Sequence, residues 1–133
     1  MVIDNPVWLG IVVIILVTVA FGGSFVLSVV NGDHEANELQ KNYYRAGHAH
    51  AGMFVTLGIL LHVLMSAEGV PNWGSFAADF VLYAAILMPA GFFLSVTGRD
   101  PQKPNGLKVL IPIGALSLVG GLIGTGVALI MTA

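Results

Sequence analysis

Cysteine is absent from these 133 residues, and Lys and Arg together number only five. Without thiols the chain can form no disulfide, no Cys-ligated cluster and no thiol nucleophile. Charged residues make up 9% of the sequence, against about 25% in an ordinary soluble domain. The net charge is −2 and no basic tail or stripe is present, which argues against nucleic acid as a partner. Asp4 stands before the first apolar run, which is too long for a signal peptide and reads as a retained span. No phosphate loop, Ser/His/Asp arrangement or paired mid-span carboxylate is present, so the reading leans away from an enzyme.

What fills the chain instead is apolar: hydrophobic residues make up 56%. Residues 7–30, 46–67, 80–97 and 109–133 carry no Asp, Glu, Lys or Arg. A hydrocarbon core of about 30 Å needs about 20 helical residues per crossing. Only helices and closed barrels satisfy every backbone group in lipid, and runs this long exceed the strands of about 10 residues used by barrels. The expected architecture is an all-α membrane protein, a single-domain antiparallel four-helix bundle with spans at about 7–30, 46–67, 76–97 and 107–131.

Basic residues then orient it. Lys41 and Arg45 precede the second run, while Arg99, Lys103 and Lys108 lie between the third and fourth. Cytoplasmic loops retain positive charge, so both termini and the 68–75 loop are expected outside a plasma (inner) membrane crossed four times. Trp8 and Trp73 then mark the outer interface, and Tyr43 and Tyr44 the inner one.

Local signals punctuate the spans. Asn5-Pro6 offers a cap followed by a helical Pro, and Asn31-Gly32-Asp33 stops span one. Ser75 and Asn105 are expected to cap spans three and four, and Gly98 to end span three. Leu39 and Tyr43 are four apart, so part of the polar 31–45 stretch reads as a helical approach to span two. Pro89 removes a backbone hydrogen bond inside span three. Phe25-Val26-Leu27-Ser28-Val29 and Phe92-Phe93-Leu94-Ser95-Val96 end spans one and three alike, the mark of either a duplicated hairpin or coincidence. Span four carries two small-residue lines, Gly120/Gly124/Ala128 and Ser117/Gly121/Thr125. Such lines let helix backbones approach closely, within one bundle or between subunits, and Gly22, Gly23 and Ser24 offer an opposing surface.

Ionisable groups inside a membrane are costly and are candidate functional groups. Span two holds His48, His50 and His62. Two residues apart on a helix, His48 and His50 diverge by about 200°; they would chelate together, with His34, only if Gly47 broke the helix. The stretch Ala46-Gly47-His48-Ala49-His50-Ala51-Gly52 resembles the histidine-bearing helix of haem–copper oxidase subunit I-like proteins. That resemblance implies haem on His48 or His50. The copper-centre histidines of that family have no counterpart here, so it implies no oxidase. The whole chain is similar to small four-span bacterial membrane proteins, a likeness that implies topology and no activity.

Span two runs outward and span three inward, which puts His62 and Asp79 at similar depth near the outer boundary. Asp at mid-span costs about 2.5–3.5 kcal/mol, and less near an end. A hydrogen bond to His62 would offset part of that cost, and Tyr83, four residues after Asp79, shares its face. Three functions stay open. One is a non-catalytic subunit packing in a homo-oligomer or with other membrane subunits. The second is a haem- or metal-binding protein using His48 or His50. The third is a small proton- or cation-coupled transporter using His62 and Asp79.

Overall fold

A computed structural model describes residues 3–133, and among them every regular element is helical. Helix α1 spans Pro6–Asn31, α2 Glu38–Met65, α3 Trp73–Leu94 and α4 Leu110–Ile130, the last entered through a 3-10 turn at Gly106–Val109. All four, with that turn included in the last, are long and apolar enough to cross a membrane. The chain is a membrane protein.

The caps explain most boundaries. Asn5 accepts from the Trp8 N–H with Pro6 in the first turn, and α1 stops at Gly32, whose φ of 86° suits glycine. Helix α2 begins eight residues before the expected 46, because Asn37 and Gln40 form a reciprocal capping box. Two expected caps are corrected. Asn72, not Ser75, precedes α3, and α3 gives way at Ser95, three residues before Gly98. Asn105 does cap the turn into α4, accepting from the Leu107 N–H. Pro89 is buried within α3, which continues through it.

Helix α3 is the hub. Ala78, Val81 and Ala84 are fully buried, with α2 on one side of the helix and α4 on the other. Leu61, Met65, Ala78, Val81 and Ala128 form one apolar cluster from these three helices. A second cluster adds Val12 of α1 to Phe54, Val55, Leu82, Ala85 and Met88. Glycine sets the spacing of both seams. A Cβ at Gly58 would collide with Leu82, and one at Gly121 would lie 2.8 Å from Val81 Cγ2 and 3.0 Å from the Ala77 carbonyl. Ser117 Oγ donates to the Phe80 carbonyl across the α3–α4 seam at 2.7 Å. Helix α1, by contrast, packs its backbone closely against α2 alone.

The start of α1, the end of α2 and the start of α3 share one end of the molecule, hereafter the Trp8 end. The end of α1, the start of α2 and the end of α3 share the other, the Tyr44 end. Gln40 closes the Tyr44 end. Only 3% exposed, it donates to the Val96 and Gly98 carbonyls at 3.0 and 2.9 Å. Asn37 donates to Asp100 and to the Pro101 carbonyl, and Tyr44 stacks on Phe93. All five Lys and Arg lie at this end, on the loop before α4, in its 3-10 entry turn and in the first eight residues of α2.

Candidate functional site

Two hollows lie between α1 and α3 with α2 as their floor. The larger, about 400 Å³, is at the Trp8 end and is lined by Asp4, Trp8, His62, Ser66, Asp79 and Tyr83 among others. His62 Nε2 lies 3.0 Å from Asp79 Oδ1 there, with the side chains 12% and 30% exposed. His62 Nδ1 lies 2.8 Å from the Gly58 carbonyl oxygen. A carbonyl can only accept, so Nδ1 carries a hydrogen.

That bond decides what the pair can do. With Nδ1–H fixed, the short Nε2···Oδ1 approach needs one further proton, held on the imidazole facing a carboxylate or on the carboxyl facing a neutral ring. The pair is no Ser/His/Asp triad, because the nitrogen that would serve a serine is already spent on Gly58. Ser66 Oγ instead donates to the backbone carbonyl of His62 at 2.9 Å.

The rest of the wall adds oxygen and aromatic surface. The Asp4 N–H donates to Ser66 Oγ at 3.3 Å, and Ser75 Oγ donates to Asp4 Oδ2 at 3.4 Å, so the approach to α1 lies across the cavity mouth. Trp8, Phe76 and Tyr83 stand around it, all more than a third exposed. Tyr83 shares the cavity with Asp79 but makes no hydrogen bond to it. The nearest formal charges in sequence at this end are Asp4, Glu68 and Asp79, with no Lys or Arg. The spacing of His62 and Asp79 pointed to their meeting. The part played by Asp4 and Ser66 was missed, and a polar pair flanking span one and span two was the only signal for it.

The smaller hollow, about 250 Å³, is nearer the Tyr44 end and is lined by Thr18, Gly22, His48, Ala51, Ala85 and Phe93 among others. Val12, Phe54 and Leu82 pack as an apolar core between its level and that of the larger one. The His48 ring is set against α1: a Cβ on Gly23 would lie 3.1 Å from Nε2. His50 diverges from it, as its spacing predicted. Its Nδ1 is 2.6 Å from the Ala46 carbonyl, and its ring packs on Phe92 and Phe54 at 5.1 and 5.3 Å.

These residues do not fit haem. The coordinating nitrogen of His48 faces helix backbone, His50 is wedged among aromatic rings outside both hollows, and α2 runs unbroken through Gly47. His34 pairs with Ser28 instead of joining them. Among the described residues no three His, Asp or Glu side chains are grouped to hold a metal ion.

The small residues of α4 are used inside the molecule. Gly121 and Gly124 receive Ala77 and Val81, Ala128 lies beside Gly74, and Thr125 is buried. Gly120 departs from its line, facing open space, and Gly22 and Gly23 meet His48 rather than α4. No protein-family model, curated protein or solved structure matches the chain.

Proposed function

We propose that this protein is an antiparallel four-span bundle of the plasma membrane with both termini outside. It acts as a non-catalytic membrane component whose working site is the His62–Asp79 cavity on the outer face. A small cation drawn into that cavity takes over the Asp79 carboxylate and displaces the proton that the pair shares. The observation that carries the reading is the 3.0 Å His62–Asp79 contact in a cavity of about 400 Å³, at an end without Lys or Arg. The Asp4 carboxylate on the cavity wall, with no Lys or Arg at this end, favours the approach of cations. The packed apolar core below the cavity supports binding over conduction.

Proton release makes binding pH-dependent, with a definite sign. Where the pair holds its proton, affinity rises by up to about tenfold per pH unit as pH increases, because each binding event expels one proton. The titratable groups facing the site are Asp4 ahead of α1, His62 on α2, and Asp79 and Tyr83 on α3; α4 supplies none.

The test uses protein in lipid nanodiscs in weak buffer, titrated with methylammonium against a pH dye. Wild type should release about one proton per site at saturation, and Asp79→Asn none. Equal release from both would overturn the site. Cation flux across reconstituted vesicles that vanishes in Asp79→Asn would replace binding by transport.

A second reading, assembly into a homo-oligomer or with other membrane subunits, draws on α1. Val7, Ile14, Val17 and Phe21 are each more than two-thirds exposed on it. The native mass of the protein extracted without detergent exchange tests this: a lone monomer counts against it.

A further inference from the structure

We infer that the cation is an amphiphilic primary ammonium, its head at Asp79 and its apolar body in the cleft between α1 and α3. This rests on the cavity reading above and adds the class of ligand. Three features of the lining select it.

The first is what the cavity cannot do. A bare metal ion needs several hard oxygen ligands converging at about 2.0–2.6 Å, and no three His, Asp or Glu side chains converge among the described residues. The second is the hydrogen-bond inventory. Once its proton leaves, His62 keeps Nδ1–H on Gly58 and presents a bare Nε2 beside the Asp79 carboxylate. Acceptors so arranged call for a donor-rich head. A primary ammonium offers three N–H groups and a positive charge, whereas a quaternary head offers none.

The third is the aromatic and aliphatic remainder. Trp8, Phe76 and Tyr83 stand beside the carboxylates, with Ile3 and Leu9 completing the wall. Aromatic faces near a desolvated ammonium add cation–π attraction. The three rings are 42%, 61% and 47% exposed, and on a membrane helix that exposure is toward lipid at interface depth. The cavity is therefore open sideways, and a ligand can lie with its head inside and its hydrocarbon in the outer leaflet.

Binding is written R–NH3⁺ plus the protonated His62–Asp79 pair giving R–NH3⁺ on the Asp79 carboxylate, neutral His62 and one H⁺ to water. Charge and protons balance with no other reactant.

Two sources share this chemistry: the ethanolamine head of a phospholipid and a free alkylamine. The experiment uses Trp73→Phe protein, which leaves Trp8 as the single indole, in phosphatidylglycerol nanodiscs. Dodecylamine and dodecanol are titrated separately, and a second set of discs carries phosphatidylethanolamine. The expected result is a saturating change in Trp8 emission with dodecylamine at least about tenfold tighter than methylammonium, and none with dodecanol. Asp79→Asn weakens the amine by about tenfold or more. Emission already shifted in the phosphatidylethanolamine discs, with free amine then competing, assigns the lipid as the source. An unshifted signal there with the amine still binding assigns the free amine. Equal responses to dodecanol and dodecylamine overturn the inference whatever the variant does. Proton release by methylammonium without tighter binding of dodecylamine would overturn it too, while leaving the exchange site standing.

Discussion

The two ends of this molecule are both polar, yet they are built to opposite specifications. At the Tyr44 end, Gln40 is buried and donates twice to backbone carbonyls, and Asn37 caps a helix while tying down Asp100 and Pro101. The side-chain N–H groups of both residues are all in use. At the Trp8 end the bonds from Asp4 are long, His62 and Asp79 meet at 3.0 Å, and about 400 Å³ stands open beside them. Saturated polar groups make a joint; groups with spare capacity make a site.

Substitutions should separate the two. Gln40→Leu ought to cost most, about 3 kcal/mol, because it leaves the Val96 and Gly98 carbonyls without donors. Unfolding in mixed detergent would measure it, and methylammonium-induced proton release by the folded fraction should be unchanged. Gly47→Val follows at about 2 kcal/mol, since even a Cβ there would approach Phe93 to 2.7 Å. Asn37→Ala should lose about 1 kcal/mol with its cap, read as earlier thermal unfolding and faster amide exchange in the first turn of α2. Ser66→Ala, at the Trp8 end, should cost less than about 0.5 kcal/mol, yet alter amine affinity by loosening Asp4. A stability loss from Ser66→Ala as large as that from Gln40→Leu would erase the distinction.

The Tyr44 end has one exception. Ser95 Oγ is buried without a partner among the described residues. Ser95→Ala should therefore be neutral or stabilising by up to about 1 kcal/mol, against the destabilisation usual for buried positions.

Much of this was legible beforehand. Four apolar runs gave four helices, and Asn5-Pro6, Gly32 and Asn105 marked ends where the backbone does turn. Helical spacing separated His48 from His50, and hairpin arithmetic brought His62 to the depth of Asp79. The misses share a cause. The helical approach through Leu39 and Tyr43 was expected, but its start at Glu38 depends on Gln40 finding acceptors near residue 97, and the exclusion of Gly120 depends on which side of α4 meets α3. Neither is local information. The surroundings of the histidine motif are of the same kind: small neighbours leave room for a flat cofactor or for another helix, and here α1 lies against His48 and an aromatic ring of α3 against His50.

Helix α1 is at once the most apolar span and the least covered by protein. Each helix can settle in lipid before it docks, and this one has the least to gain from docking. Its one close partner, α2, is the segment made next, so the hairpin that seats α1 is also the part of the bundle held by the fewest protein contacts.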